Sequence, residues 1–288
     1  MEVMAVKIGF IGAGKVGCCL GKLFCEKGLE VTGFYNRHKE GAIFASEFTN
    51  TAVFENASDV VLSSDAIFIT VNDGNISGVF NDIKHCSLKG KYICHCSGAL
   101  TAAQAFDKIN ETGATGYSIH PLFPVSDKLT SYGKLKDAFF CIEGTSEKGV
   151  ELWCDILEKA NLKVKHLQTD RKTTYHTACV FASNLVVGII EKSLSFFEEC
   201  SFTKEEAISA LSPLITANIN AILEKGPTAA LTGPIERGDK MTVQHHLECL
   251  NNAEDITLYK VLSKEILKIA MKKNPQKDYT DIAKILEV

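Results

Sequence analysis

A glycine-rich loop near the start of the chain constrains the fold more than any other feature. Residues 12–17 read GAGKVG, follow an apolar run over 6–11 and open a helical pattern that reaches Gly28. In a dinucleotide-binding loop, the first glycine makes a tight turn, the second admits a pyrophosphate and the third lets the helix pack on the strand. The free N–H groups at the helix start then face the anion. We therefore expect a dinucleotide to contact the six residues of this loop, Gly12, Ala13, Gly14, Lys15, Val16 and Gly17.

The same stretch also fits a second phosphate-binding pattern. Gly9 to Lys15 matches the GxxxxGK of a P-loop. A P-loop continues with Ser or Thr, which holds Mg²⁺, whereas Val16 follows here. Gly9 also falls inside the predicted strand, so we reject this interpretation.

The end of the second predicted strand, residues 31–35, bears on the choice of cofactor. An NAD site usually has Asp or Glu here to hold the ribose hydroxyls. This chain has Asn36, and the Arg-His-Lys of 37–39 follows. A guanidinium can hold a 2′-phosphate through paired, charge-assisted hydrogen bonds. We therefore predict NADP(H) rather than NAD(H), bound by Asn36 and Arg37; a solvated basic turn is the alternative.

Length and composition limit the class of protein. A chain of 288 residues with 45% hydrophobic content can bury a large core and is long enough for two domains. A net charge of −4 and a pI near 6.1 give no reason to expect nucleic acid or an anionic membrane as a partner. We expect no apolar run long enough to span a bilayer, and residues 1–5 lack the regions of a signal peptide. These features predict a cytoplasmic protein.

The cysteines and histidines do not predict a metal site. Eleven cysteines are an odd number in a long chain, which favours reduced thiols over disulfides. On a strand, Cys94 and Cys96 point to one face and His95 to the other. The grouping of His245 and His246 with a nearby cysteine also lacks the spacing of a CxxC pair. We predict that no metal is bound.

Residues 1–168 alternate short β-rich runs with helical patterns. A helix is predicted over 147–160. Such alternation is typical of an open, mostly parallel sheet with helices on both faces, that is, a Rossmann-type α/β domain that binds a dinucleotide. The eight predicted strands cover residues 6–11, 31–35, 51–54, 66–71, 91–96, 115–119, 138–142 and 164–167.

Residues 169–288 contain only helical patterns, and we predict an all-helical domain for substrate binding and dimerisation. Residues 172–200 read as one long helix without proline. Its apolar residues lie nearly all round the axis from 178 to 190, so we expect this part to be buried on every side, as the spine of the domain or in a dimer interface. A helix over 203–224 should kink or break at Pro213 and stop at Gly226.

Loops that follow the fourth, fifth and sixth predicted strands are the first places to search for a site, because ligands bind beyond the carboxyl ends of parallel strands. Val71 and Asn72 lie where the ribose of a dinucleotide would pass. Ser97 and the flexible Gly98 can approach the nicotinamide. His120, held out of helix geometry by the proline after it, is a candidate proton donor; a histidine that only caps the strand is the alternative.

Polar residues in the helical half supply the remaining candidates. On one continuous helix His176 and Ser183 would lie only about 20° apart around the axis, with Asn184 about 80° from His176. This polar stripe either faces a ligand or bonds to a neighbouring helix. We assign His176 and Asn184 to catalysis and Ser183 to substrate binding. In the loop over 230–239, Thr232 and Arg237 are candidates for binding an anionic substrate; a solvated arginine is the alternative.

Five segments together resemble a known family. The chain is similar to proteins that pair a Rossmann-like NADP-binding domain with a C-terminal helical domain of unknown function, and it resembles pyrroline-5-carboxylate reductase and ketopantoate reductase in architecture. The resemblance implies a homodimeric NADP-dependent oxidoreductase with its active site between the domains. Better-known relatives place a lysine and an asparagine on the first long helix of the second domain; His176 and Asn184 are the nearest equivalents, so a lysine-based mechanism is not expected. The segments that carry the resemblance are GAGKVG at 12–17, HCSGAL at 95–100, HPLFP at 120–124, YHTACVFASN at 175–184 and ALTGPIERGD at 230–239.

Two functions follow from these observations. The first is an enzyme that transfers hydride from NADPH to a C=O or C=N carbon of a small substrate bearing a carboxylate, with His176 or His120 supplying the proton. The second is a non-catalytic NADP(H)-binding sensor or partner-binding module, because one fold hosts many functions.

Overall fold

The protein contains one eight-stranded sheet, seen here in a computed structural model that describes residues 6–287. Residues 1–5, to which the signal-peptide prediction refers, lie outside the described residues. All eight predicted strands are present. Their bounds are β1 Ile8–Ile11, β2 Val31–Tyr35, β3 Ala52–Val53, β4 Ala66–Ile69, β5 Tyr92–His95, β6 Thr115–Pro121, β7 Phe139–Gly144 and β8 Lys163–His166.

The strand order is β3-β2-β1-β4-β5-β6-β7-β8. Every neighbouring pair is parallel except β6 and β7, which run antiparallel with Ser118 opposite Glu143 and His120 opposite Cys141. β8 is parallel to β7, so the last two strands run against the first six. This arrangement confirms the predicted mostly parallel α/β sheet.

Helices occur in the connections between strands, and the described residues after β8 form helices joined by short loops. Two of the later helices are capped by the side chain of the residue that precedes them, Thr203 in one case and Asp239 in the other. The helices are α1 Lys15–Glu26, α2 Lys39–Thr49, α3 Ala57–Ser63, α4 Asp73–Ile83, α5 Ala102–Ala105, α6 Tyr132–Leu135, α7 Glu147–Lys159, α8 Lys172–Ala182, α9 Asn184–Glu199, α10 Lys204–Ala230, α11 Pro234–Arg237, α12 Lys240–Cys249, α13 Ala253–Lys273 and α14 Thr280–Leu286.

Both faces of the sheet are buried at its central strands. Each residue of β1 and of β4 is buried, which is why these strands read as continuous apolar runs rather than alternating ones. One face carries a cluster of aromatic rings, in which Phe10 stacks on Phe34 and Phe68 meets Trp153 edge to face. The opposite face packs against α3, α4 and α5 around residues such as Phe80. Burial on both faces fixes the sheet as the rigid platform of the first unit.

The chain forms two compact units, one ending at Val186 and the other starting at Val187. The first contains the sheet and α8. The second is helical, and its core joins α11, α12, α13 and α14 around Val243 and Leu267. The predicted division at 168/169 stays a prediction.

The apolar stretch over 178–190 is not buried as we expected. Its large side chains are exposed within the chain: Phe181 by 65%, Leu185 by 44% and Val187 by 71%. The prediction that it forms the spine of the second domain was therefore wrong, because an all-round apolar pattern does not guarantee that the same chain covers it. Its other interpretation, a dimer interface, stays a prediction.

Two further expectations about the helices need correction. Thr169–Glu199 and Lys204–Arg237 are long and apolar enough to cross a membrane by length and composition alone, whereas we expected no such segment. Each of these helices contains few charged residues, although neither contains an uninterrupted apolar run of that length. Pro213 does not interrupt the helical dihedrals of α10; the break lies at Gly226, where φ is +77°.

Candidate functional site

The three glycines of the loop over 12–17 have different surroundings. Gly12 has a φ of +112°, and a Cβ added there would lie 2.8 Å from the carbonyl of Thr70. A Cβ on Gly17 would lie 2.4 Å from the Gly12 oxygen, so both positions require glycine for close packing. A Cβ on Gly14 would have nothing nearer than 3.9 Å. The second glycine therefore borders free space, where the dinucleotide motif places its pyrophosphate.

A cleft of about 470 Å³ lies in that space, at the carboxyl ends of β4 and β5. Helix α1 begins at its edge, and no side chain caps the helix start at Gly14. The unused N–H groups of such a first turn attract anions. Six of the predicted cofactor residues line the cleft: Gly14, Lys15, Val16, Val71, Asn72 and Ser97.

Asn36 has a structural role that the sequence did not reveal. Its Oδ1 accepts a hydrogen bond from the N–H of Ala13 at 3.2 Å, and its Nδ2 donates to the carbonyl of His38 at 2.8 Å. This side chain thus ties the glycine loop to the end of β2. Arg37, next to it, is exposed to solvent, while Lys39 is paired with Glu55 at 2.6 Å.

Ser97 organises the turn after β5. Its hydroxyl donates to Asp73 at 2.6 Å and accepts from the N–H groups of Ala99 and Leu100 at 3.1 Å. Its carbonyl accepts from Ser118 at 3.0 Å. These bonds hold the buried Gly98 in place at the end of the cleft.

Two histidines converge on Gly98. A Cβ added to this glycine would lie 2.8 Å from His176 Nδ1 and 2.9 Å from His120 Nε2. His120 Nδ1 shares a hydrogen bond of 2.7 Å with the hydroxyl of Tyr175. His176 Nδ1 is buried and has no hydrogen-bond partner among residues 6–287. The structure therefore brings together three predicted site residues, His120, His176 and Gly98, and adds Tyr175, which the sequence analysis did not single out.

Burial controls the protonation of the neighbouring imidazoles. Desolvation, aided by the charge of Lys172, lowers the pKa of His120 to about 4. The same causes lower the pKa of His95 to about 3, and His95 Nδ1 accepts from the N–H of Ser97 at 3.1 Å. Desolvation also raises the pKa of Tyr175, so its phenol keeps its proton. His120 is accordingly a neutral imidazole at pH 7.

Lys172 is the most important residue that the sequence analysis missed. Its side chain is completely buried, and its Nζ donates to the hydroxyl of Ser118 at 2.5 Å. Because the Ser118 hydroxyl already donates to Ser97, it accepts from the lysine. The expectation that no lysine takes part rested on reading His176 as the equivalent position. Lys172 lies one helical turn before His176, so a lysine is present at the site after all.

Glu143 is a second buried charge that the sequence did not reveal. It is 1% exposed, and its Oε1 accepts from the N–H of Ala102 at 2.6 Å. Its Oε2 accepts from Thr169 at 3.1 Å. Desolvation lowers the pKa of Lys172, and Glu143 opposes that shift. The carboxylate thus fastens the segment before α8 to the sheet and offsets part of the buried positive charge.

Two side-chain contacts join helix α8 to strand β6. Lys172 on the helix contacts Ser118 on the strand. Tyr175, three residues after Lys172, contacts His120, two residues after Ser118. Three helical residues rise by about 4.5 Å and two strand residues by about 6.6 Å, so side chains can bridge the two elements at both points. This register explains how residues far apart in sequence meet at Gly98.

The structure does not bring the remaining candidates to this point. α8 ends at Ala182, and Ser183 has a non-helical backbone, so the single continuous helix assumed for the polar stripe was wrong. Ser183 and Asn184 are exposed and bonded to each other at 3.1 Å. Thr232 and Arg237 are exposed residues of the second unit. Their roles stay predictions. Among residues 6–287 no group of three or more His, Cys, Asp or Glu side chains could hold a metal ion.

Comparison with family models divides the chain in two. Residues 1–121 match a Rossmann-like domain, and residues 138–266 match a domain of unknown function, DUF2520. The chain is a Rossmann-like domain followed by a DUF2520 domain. This confirms the resemblance inferred from the sequence. The DUF2520 match begins beside β7, where the sheet changes direction, and it includes Lys172, Tyr175 and His176.

Solved structures share the fold of both domains. A protein from Thermotoga maritima is 25% identical, with a TM-score of 0.73 over 92% of this chain and 99% of its own. The pyrroline carboxylate reductase of Plasmodium falciparum, solved with NADP bound, is 13% identical, with a TM-score of 0.60 over 93% and 96%. An imine reductase from Bacillus cereus is 16% identical, with a TM-score of 0.55 over 98% and 99%. No curated protein matches the sequence.

Proposed function

We propose that the protein is an NADP(H)-dependent oxidoreductase that transfers a hydride to the C=O or C=N carbon of a small substrate bearing a carboxylate. One observation carries this proposal: the cleft beside the glycine loop reaches Ser97, and the adjacent Gly98 is where the nitrogens of His120 and His176 converge. Reductases with the same fold, one of them solved with NADP bound, support it.

The residues of the cleft fit a nicotinamide dinucleotide. Its volume of about 470 Å³ lies within the usual range of roughly 300–1,000 Å³ for ligand sites. The open space beside Gly14 and the uncapped start of α1 suit the pyrophosphate. Arg37 is exposed, and its guanidinium is suited to a 2′-phosphate because no carboxylate stands at Asn36. When bound, the reduced cofactor supplies the hydride.

The two histidines are the candidate proton donors to the substrate. The Tyr175 hydroxyl and His120 Nδ1 share a hydrogen bond; when the phenol is its donor, the hydrogen of the neutral ring lies on Nε2, the atom that faces Gly98. That N–H can donate to the oxygen or nitrogen of the substrate. His176 Nδ1, buried without a partner among the described residues, is the second group able to exchange a proton there. The assignment of Asn184 and Ser183 to the substrate, and of Thr232 and Arg237 to its carboxylate, stays a prediction from the sequence.

We also propose a cytoplasmic homodimer. Large apolar side chains are exposed along α9 and α10, including Val187 at 71% and Leu223 at 78%. Apolar surface of this kind marks interaction sites. Sedimentation should give twice the 31.4 kDa of one chain; a particle of 31.4 kDa would contradict the proposal.

The test of the cofactor is a fluorescence titration of NADPH and NADH against the wild-type protein and an Arg37→Ala variant. Loss of a charge-assisted contact should weaken NADPH binding by roughly 10- to 150-fold and leave NADH binding unchanged. Lys148→Ala, which removes one exposed positive charge from α7, is the matched control. Failure to bind either nucleotide would contradict the proposal. NADPH binding without oxidation by any keto acid or imine would favour a sensor.

A further inference from the structure

A positively charged side chain, that of Lys172, lies close to the two histidines. Lys172 lies on the same face of α8 as His176, four residues away, and its ammonium rests on Ser118, two residues from His120 on β6. No carboxylate oxygen of the described residues lies within 4.0 Å of its Nζ. A buried ammonium held by one hydroxyl is an unusual arrangement, because buried charges are normally paired.

The neighbouring carboxylates offset this charge only in part: Glu143 and Asp73 raise the pKa of Lys172, whereas desolvation lowers it overall. The groups that face His120 are Lys172, Tyr175 and His176 from α8, His95 from β5 and Cys141 from β7. None of them is a carboxylate. The nearest acids are engaged elsewhere: Glu143 binds Ala102 and Thr169, and Asp73 accepts from Ser97 at the cleft.

We propose that Lys172 places a fixed positive charge beside His120 and His176, and that the site consequently reduces carbonyl groups rather than imines. This inference rests on the proposed oxidoreductase function and narrows its substrate class. Lys172 acts as a positioning residue, because its Nζ reaches the site through Ser118 and the Ser97–Gly98 turn.

Carbonyl compounds and imines differ in the sign of the charge that develops on the substrate during reduction. A carbonyl carbon that accepts a hydride from NADPH releases the π electron pair to its oxygen. The resulting alkoxide takes a proton from an imidazole N–H to give the alcohol, the ring regains that proton from solvent water, and NADPH becomes NADP⁺. A nearby ammonium stabilises that alkoxide. An imine is activated by protonation to a cationic iminium before it accepts hydride and becomes an amine. The same ammonium disfavours the iminium, and none of the groups that face His120 is a carboxylate that would compensate.

The first arm of the test needs no substrate. The pKa of His120 is measured by NMR titration of its ring protons in wild-type protein, Lys172→Met and Lys172→Arg, with His120→Gln used for assignment. Removal of the charge in Lys172→Met should raise the pKa by about one unit or more, and Lys172→Arg should keep it low. Methionine fills a similar apolar volume, and circular dichroism checks folding. An unchanged pKa in a folded Lys172→Met protein would overturn the proposal, as would a raised pKa in Lys172→Arg.

The second arm compares substrates of equal carbon number. Oxidation of NADPH is followed with 2-oxopentanoate and 2-oxohexanoate, and with the cyclic imines 1-pyrroline-2-carboxylate and 1-piperideine-2-carboxylate. We expect the oxo acids to react faster by about tenfold or more, and Lys172→Met to lose that preference. Faster reduction of the imines would overturn the substrate class and leave the oxidoreductase function standing. Oxidation by neither class, with NADPH bound, would overturn both.

Discussion

Gly98→Ala should damage the site without destroying the fold. The added methyl would lie 2.8 Å from His176 Nδ1 and 2.9 Å from His120 Nε2, whereas ordinary contacts are 3.4 Å or longer. Both rings would have to move by about half an ångström, and overpacking of this kind typically costs about 1–3 kcal/mol. For a unit of this size, that corresponds to a fall in Tm of roughly 2–12 °C.

The assay combines thermal unfolding with NMR of the histidine ring protons. Gly78→Ala is the matched control, because Gly78 lies in the interior of α4 with nothing within 4 Å of an added Cβ. Alanine there should stabilise the helix by about 1 kcal/mol and raise Tm by roughly 2–4 °C. The two variants should thus change Tm in opposite directions, and only Gly98→Ala should shift the resonances of His120 and His176. Unchanged ring resonances and Tm in Gly98→Ala would refute the proposed convergence.

Four other substitutions test the cofactor loop and the buried imidazoles. Gly17→Ala should lower Tm markedly, because its Cβ would lie 2.4 Å from a carbonyl, while Gly14→Ala should fold normally and weaken NADPH binding; equal Tm values would contradict this. Asn36→Asp should reduce the preference for NADPH over NADH by about tenfold or more, measured by fluorescence, because a carboxylate repels the 2′-phosphate. His120→Gln should reduce acid sensitivity. The pKa of His120 is about 4 when folded and 6.5 when unfolded, so wild-type stability is intact above pH 6.5 and is lost as pH falls to 4, by about 3 kcal/mol at most. Urea unfolding at pH 7 and pH 4.5 measures this loss, which should be smaller in the variant.

The sheet could be predicted from the sequence because its strands are short apolar runs separated by turn residues. β1 and β4 illustrate this: every residue is buried, so the pattern survives without any alternation. The glycine loop was equally readable, since the close contacts of Gly12 and Gly17 permit no other residue type. Local constraints of this kind are visible in a single sequence.

The chemistry beside Gly98 depends on tertiary burial, which a sequence pattern does not record. Lysine is normally exposed, so nothing in the composition marks Lys172 as completely buried. Only residue spacing points to Lys172 in the sequence. Lys172 lies four residues before His176, so the two share a helix face, and Ser118 lies two residues before His120, so the two share a strand face. The predicted long helix was wrong for a related reason. The hydroxyl of Ser183 donates to the carbonyl of Cys179 at 2.6 Å, and the backbone of Ser183 is not helical. A side chain that bonds to the backbone in this way competes with helix formation, and apolar periodicity does not detect it.

The register between α8 and β6 determines where the chain tolerates changes in length. A residue inserted or deleted in the short connection over 167–171 would rotate the helix by about 100°, which would remove Lys172 from Ser118 and Tyr175 from His120 together. The loop over 126–130 takes part in neither of these two contacts, so an insertion there would leave the register of α8 on β6 unchanged. Length variation among descendants of this sequence should therefore accumulate before β7 and be excluded between β8 and α8.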